Sequence, residues 1–351
     1  MHGDSTRSVH ADRSLADLPD LAPPIRPSTT FAIGSERTYR RHSHETTERF
    51  EAVIGALESG HTVAYASGMA AAAAALAHVR PGRVSLPQDV YHGVRDLVET
   101  RADEGAFEIV DPDELGSGDL WWIETPSNPF CRITDLAAVA AEARRRSVIT
   151  VCDATFATPV LMNPLAFGID LVMHATTKAI AGHSDVMGGV LSVSDAAMAE
   201  TLRRERSLTG AVPGSLDVWL ALRGVRTLPL RMHRSCLTAG VLTEWFSAIG
   251  VPTYYPGLAT DPGHGIAGRQ MRAMGSMFSV DFGDASTADR FIGELGLFTN
   301  ATSLGGVESL VERRAISDPT IAPGVVRFST GIEDAEDLLE DLAAAGSIVL
   351  T

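Results

Sequence analysis

Lys178 is the only lysine in a chain of 351 residues; the other 28 basic residues are all arginine. A guanidinium stays protonated, whereas a lysine amine can be desolvated, lose its proton and condense with an aldehyde. Lys178 follows a mostly apolar run, residues 169–173, through His174-Ala175-Thr176-Thr177. Asp153 follows a second run, 148–152. Ser67-Gly68-Met69 follows a third, 63–66, and opens an alanine-rich segment. Such a small turn opening a helix presents free N–H groups and the positive helix end, which suits an anion. A fourth run, 120–123, leads into Glu124-Thr125-Pro126-Ser127-Asn128-Pro129. Taken singly, an acid at a strand end is usually a cap and a lone lysine a solvated surface group. Together they form the donor set of pyridoxal phosphate. The amine bonds the aldehyde, the acid pairs with the pyridinium nitrogen, and the turn holds the phosphate.

The elements that must position these groups read as alternating strands and helices. Residues 63–66, 83–86, 120–123, 148–152, 169–173 and 189–193 read as strands. Most are apolar throughout, as expected of strands buried on both faces of a parallel sheet. Phe50, Val53, Ile54 and Leu57 form a helical face within 46–58. Leu136, Val139, Ala140 and Ala143 form another, with Thr134 as its expected N-cap and Arg144, Arg145 and Arg146 at its C-terminal end. In open α/β sheets ligands bind at the carboxyl ends of the strands, where the candidate residues fall. A mostly helical stretch near 219–245 leads to a smaller strand–helix region. There 277–282 precedes a helix with Phe291, Ile292 and Leu295, and 325–328 precedes one with Leu338, Leu339 and Leu342, closed by Gly346. Pro19, Pro23, Pro24 and Pro27 mark the opening residues as an arm. The expected fold class is α/β, with an arm over 1–45, a large cofactor-binding domain over 46–235 and a small α/β domain over 236–351.

Several motifs recur in one familiar order. At the centre stand Asp153-Ala154-Thr155-Phe156-Ala157-Thr158-Pro159, Thr177-Lys178, Gly182-His183-Ser184-Asp185 and Gly188-Gly189. Around them stand Ser67-Gly68-Met69, the 124–129 run, Leu222-Arg223-Gly224-Val225-Arg226-Thr227-Leu228, Ser303-Leu304-Gly305-Gly306-Val307-Glu308-Ser309, Arg327-Phe328-Ser329 and Gly331-Ile332-Glu333. Over nearly its whole length the chain resembles the Cys/Met-metabolism pyridoxal-phosphate enzymes. That family includes cystathionine γ-synthase, γ-lyase and β-lyase, and methionine γ-lyase. The resemblance implies the fold-type-I architecture of aspartate-aminotransferase-like enzymes, with a mostly parallel large-domain sheet. It implies γ- or β-elimination or replacement on a sulfur-containing or O-acylated amino acid. It also implies a homo-oligomer, typically a tetramer, with sites shared across a dimer interface.

The resemblance carries roles to matching positions. Lys178 would hold the cofactor and shuttle protons, with its amine pKa lowered near the positive ring. Asp153 would pair with the ring nitrogen. Tyr91 would stack on the ring and serve as an acid or base. Gly68 and Met69 would give N–H groups to the phosphate, and Thr177 a hydroxyl. Asn128 would bond near the ring oxygen or the substrate carboxylate. Arg327 would clamp that carboxylate, with Ser303 nearby. Tyr39 and Arg41 would reach a neighbouring subunit's phosphate. Departures from the family pattern are Ala175 in place of serine, Ser43-His44-Glu45-Thr46 in the arm motif, His92 after Tyr91, and a shortened stretch between Glu308 and Arg327. Thr38 and Thr302 stand where some members carry acids for a distal ammonium, which favours a substrate without a second amino group.

The bulk composition excludes other classes. Twenty-nine basic against 44 acidic residues give a formal charge of −15, the wrong sign for a nucleic-acid surface. No apolar run reaches the roughly 18–20 residues of a membrane span. Cys131, Cys152 and Cys236 form no CxxC pair, and with no signal-peptide pattern the expected address is cytoplasmic. The 11 histidines include no HExxH motif, so no metal is expected. Gly263-His264-Gly265-Ile266-Ala267-Gly268 matches a dinucleotide fingerprint but follows a loop rather than a strand. His183 and Arg226 read as structural, and Cys152, Trp121 and Trp122 as core. The alternatives are a methionine γ-lyase-like or specialised γ-substitution enzyme, a degenerate relative that binds without turnover, and an aminotransferase on the same scaffold.

Overall fold

The computed structural model describes residues 2–16 and 20–349; Pro19, one of the arm prolines, lies outside them. The chain divides into two compact units, Met1–Glu124 with Asp135–Pro229 and Thr125–Thr134 with Leu230–Thr351.

The first unit opens with α1 (Asp4–His10) and α2 (Glu45–Glu58), then alternates. In chain order follow β1 (His61–Tyr65), α3 (Gly68–Val79), β2 (Arg83–Ser85), α4 (His92–Asp103), β3 (Glu108–Ile109) and β4 (Leu120–Glu124). After these come α5 (Leu136–Arg146), β5 (Ile149–Asp153), α6 (Thr158–Leu161), β6 (Leu171–His174), β7 (Gly189–Val193), α7 (Ala196–Thr209) and α8 (Ser215–Val225). The strands form one sheet in the order β1-β7-β6-β5-β4-β2-β3. β2 to β6 pair in parallel, and β7 runs antiparallel to both its neighbours, so β1 and β6 point the same way. The all-apolar strands are buried as their composition requires: Val63, Val84, Leu120, Trp122, Val151, Leu171 and Leu191 share one core with Ala71, Ala72 and Ala75 of α3. Small side chains let α3 lie close on the sheet. Helix α5 is capped by Asp135, which accepts from the Ala138 N–H at 3.1 Å, and not by the expected Thr134. The Thr134 N–H instead donates to the Thr125 hydroxyl at 3.1 Å.

Within the stretch read as an arm, α1 packs on α2. The Asp12 carboxylate, fully buried, accepts from Arg49 Nε at 2.7 Å and from both Arg226 Nη atoms at 2.8 Å. The structural reading of Arg226 is therefore met.

Helix α9 (Leu228–Ala248) carries the chain into the second unit. There β8 (Thr253–Tyr254), α10 (His264–Gln270), β9 (Met277–Asp281), α11 (Ala285–Glu294), β10 (Thr299–Asn300), β11 (Leu310–Arg313), β12 (Val325–Ser329) and α12 (Ala335–Val349) follow. The sheet order is β10-β11-β12-β9-β8, antiparallel except for the β10–β11 pair. Its core is aromatic: Phe246, Phe278, Phe291, Phe298 and Phe328 cluster, and Phe278 stacks on Phe328 at 4.9 Å. The Gly263–Gly268 motif falls on the start of α10, after a loop. Among the described residues no helix is long and apolar enough to cross a membrane, and no group of three or more His, Cys, Asp or Glu is placed to hold a metal.

Candidate active site

In the first unit β1, β4, β5 and β6 point the same way, so their carboxyl ends share one edge. Asp153 is the last residue of β5, 6% exposed. One carboxylate oxygen accepts from the Thr155 N–H at 2.9 Å and from its hydroxyl at 2.5 Å. Burial raises the Asp153 pKa above the ordinary aspartate value, while the two Thr155 bonds and the nearby His174 pull the other way. A buried carboxyl of this kind is stabilised by a cation placed against it. Thr155 also accepts the Ala175 N–H at 2.9 Å, so one hydroxyl ties the end of β5 to the end of β6. His174 closes β6 in a fully buried pair with Glu58. The turn that follows is fixed by bonds from the Lys178 N–H to Ala175 O at 3.1 Å and from the Gly182 N–H to Lys178 O at 2.8 Å. Lys178, half-buried, thus stands on the same edge as Asp153. His183 bonds the Ala181 carbonyl at 2.7 Å, the structural role expected of it.

The turn after β1 opens α3 as the sequence suggests. Ser67 is its N-cap and accepts from the Ala70 N–H at 3.0 Å. Gly68 and Met69 are the first two helical residues, whose N–H groups no intrahelical carbonyl can accept. A Cβ on Gly68 would stand 2.9 Å from the Ala175 methyl. On Gly188 it would strike the Thr176 hydroxyl, and on Gly189 the Ser67 carbonyl. These glycines let the β1, β6 and β7 loops close into a cradle of backbone donors, and Ala175 sits at its wall. The cradle fits a phosphate, and Lys178 and Asp153 fit the remainder of pyridoxal phosphate. Thr177 is committed in part: its hydroxyl donates to Gly188 O at 3.2 Å and accepts from the Gly188 N–H at 3.0 Å.

Tyr91 precedes α4, and its N–H donates to the Glu124 carboxylate at 2.7 Å. Its side chain is 39% exposed, with the His92 ring 4.4 Å away. A Cβ on Gly93 would stand 2.7 Å from the Tyr91 ring and 3.1 Å from Met69 Sδ, so the small residue seats both. Tyr39 and Arg41 are exposed, and the guanidinium lies 5.4 Å from the phenol ring. Sequence reasoning missed Thr155 and the anchoring role of Glu124. The signal for Glu124 was its place at a strand end, paired in register with Asp153.

In the second unit Arg327 lies in β12, 4% exposed. Its Nη1 donates to Asn128 Oδ1 at 3.0 Å, and its Nη2 to Ser303 O at 2.8 Å and Glu312 Oε2 at 2.7 Å. Ser303 thus meets Arg327 through its carbonyl, presented by a left-handed backbone with φ of +84°. Burial, with the neighbouring Arg314 charge, pulls the Arg327 pKa down to about 10. The structure therefore brings Asn128, Ser303 and Arg327 together, and adds Glu312 and Arg314, which sequence reasoning did not find.

Comparison with known proteins agrees with this geometry. Cystathionine β-lyase of Coxiella burnetii is 38% identical over 97% of this chain and 97% of its own. Cystathionine γ-synthase of Mycobacterium tuberculosis is 40% identical over 98% of this chain and 96% of its own. The crystal structure of metB from Corynebacterium glutamicum superposes with a TM-score of 0.95 at 36% identity, covering 99% of this chain and 98% of that one. The family described as Cys/Met metabolism PLP-dependent enzymes matches residues 5–346. The chain, with its lone lysine, buried acid and glycine-built cradle on one sheet edge, belongs to the Cys/Met-metabolism family of pyridoxal-phosphate-dependent enzymes.

Proposed function

We propose that this protein eliminates or replaces the substituent at the γ- or β-carbon of a sulfur-containing or O-acylated amino acid. The observation that carries the reading is Lys178 in the turn after β6, on the same sheet edge as Asp153 and the N-terminus of α3. The names of the similar enzymes, a γ-synthase and a β-lyase, supply the reaction class.

When bound, the cofactor supplies an electron sink for charge that develops at the substrate α-carbon. Asp153 would hold the ring nitrogen in its protonated form. The backbone N–H groups of Gly68 and Met69 would hold the phosphate, and the Thr177 hydroxyl would join them by giving up its bond to the Gly188 carbonyl. Lys178 would be the covalent anchor, and its Nζ would take the α-proton and return it. Tyr91 would pack on the ring, and its hydroxyl would move the β-proton that γ-chemistry requires. Arg327, with Asn128 and Ser303, takes the substrate carboxylate. Tyr39 and Arg41 serve a neighbouring copy's phosphate, which makes the working form a homo-oligomer, expected to be a tetramer. Among the described residues Cys131, Cys152 and Cys236 are buried thiols outside any disulfide, in keeping with a cytoplasmic address.

Thr38 and Thr302 point to a substrate without a distal ammonium. A methionine γ-lyase-like or specialised γ-substitution reaction is therefore the second reading. The test is a panel of O-acylhomoserines, cystathionine, methionine and cysteine with the holoenzyme, measuring keto acid, ammonia and thiol incorporation separately. Keto acid with equimolar ammonia marks a lyase, and thiol incorporation a synthase. Accumulation of the pyridoxamine form without ammonia would mark an aminotransferase, and no turnover of any member would mark a binding protein; either result overturns the proposal.

A further inference from the structure

The surroundings of Arg327 contain more charge than a carboxylate clamp needs. Glu312, in β11, is the direct cross-strand partner of Arg327 in β12. It is 4% exposed, and its Oε2 accepts both Arg327 Nη2 at 2.7 Å and Arg314 Nη1 at 2.6 Å. Its Oε1 accepts the Ser317 hydroxyl. Arg314 is 6% exposed and stands on the short turn that follows β11. The preceding Arg313 is turned elsewhere, donating to Asp289 at 2.6 Å.

Charge arithmetic explains the arrangement. Arg327 paired with Glu312 alone would be a neutral couple, and a buried neutral couple offers an incoming carboxylate little attraction. Two guanidiniums on one carboxylate leave the trio with one net positive charge. We propose that Glu312 and Arg314 are positioning residues for Arg327: Glu312 fixes its guanidinium from the neighbouring strand, and Arg314 cancels the Glu312 charge, so that Arg327 stays attractive to the substrate α-carboxylate. This rests on the reading of Arg327 as the carboxylate clamp. The Ser303 carbonyl and Asn128 amide oxygen complete the hold, and neither adds net charge. The Arg314 charge is near enough to help lower the Arg327 pKa, a second sign that the two cations act on one place.

The experiment compares binding of L-alanine and L-alaninamide to the holoenzyme, followed by the change in its visible band. The readout is the ratio of the two dissociation constants, which a loss of folding or of cofactor does not mimic. Arg314→Met, which leaves Glu312 facing Arg327 alone, is expected to lower the preference for the carboxylate about tenfold. The double variant E312Q/R314M removes both charges and is expected to recover the preference to within roughly threefold of wild type. Arg314→Lys, which keeps the charge, is expected to retain it. An unchanged ratio in Arg314→Met, or a double variant as poor as Arg314→Met, would overturn charge compensation. Arg327→Leu separates the two layers. If it abolishes the preference while Arg314→Met does not, only the compensation fails. If it too leaves the ratio unchanged, the clamp reading fails, and the compensation with it.

Discussion

Ala175 packs its methyl against Gly68 at the opening of α3, at the wall of the cradle that fits the phosphate. Serine there would add a hydroxyl among the backbone donors. One further bond to a charged group contributes about 1.5–3 kcal/mol. Ala175→Ser is therefore expected to slow cofactor release by about tenfold or more, measured as the rate at which the visible band is lost on dilution into a cofactor scavenger. An unchanged rate would count against the phosphate assignment. At this scale the chemically decisive residues were legible because they are rare types at strand ends: one lysine, and an acid directly after an apolar run. Thr155 was not legible. A threonine two residues past a strand is common, and only the folded chain shows its hydroxyl joining Asp153 to Ala175. Glu312 and Arg314 were hidden for the opposite reason. Charged residues at the end of a short strand read as its solvated edge, whereas here they face each other in the interior.

Helix α1 shows what an element gains from one buried acid. Burial alone would raise the Asp12 pKa, but hydrogen bonds from Arg226 and Arg49 overcome it and hold the carboxyl below the ordinary aspartate value. A folded value below the unfolded one stabilises the protein above the unfolded pKa of about 4, and that stability is lost as pH falls through the folded value. Asp12→Asn leaves Arg49 buried without its main partner and is expected to cost about 3–5 kcal/mol. Denaturant titration at neutral pH measures the loss. Repeated at falling pH, the gap between wild type and variant is expected to narrow below about pH 4. A constant gap would place the Asp12 contribution elsewhere. The arm was only partly legible. Its prolines signalled an arm, but a two-turn helix held by one buried acid just past its end leaves little periodicity to read. The central strands were legible to within a residue or two, since apolar runs have one good place in a sheet covered on both faces, whereas β3, β8, β10 and β11 were not read. The α5 cap was misplaced by a residue because Thr134 and Asp135 are both competent caps, and the side chain that reaches the Ala138 N–H decides between them.

For the whole molecule, the family and the reaction class follow from motif order, fold and relatives together, and the substrate awaits the panel described above. If Tyr39 and Arg41 complete a neighbouring copy's site, Arg41→Ala and Lys178→Ala chains, each inactive alone, should regain activity when co-assembled. Random pairing would give roughly a quarter of wild-type activity, because one intact site forms in each mixed pair. No recovery in co-assembled oligomers would confine the arm to its own chain. The most direct measurement concerns the residue that first stood out. Holoenzyme is reduced with borohydride, digested and mapped by mass. The expected result is a stable pyridoxyl-phosphate adduct on the peptide containing Lys178, absent from Lys178→Ala, with only the N-terminal amine as a competing site. A cofactor-saturated protein that yields no adduct at Lys178 would contradict the assignment of that lysine as the covalent anchor.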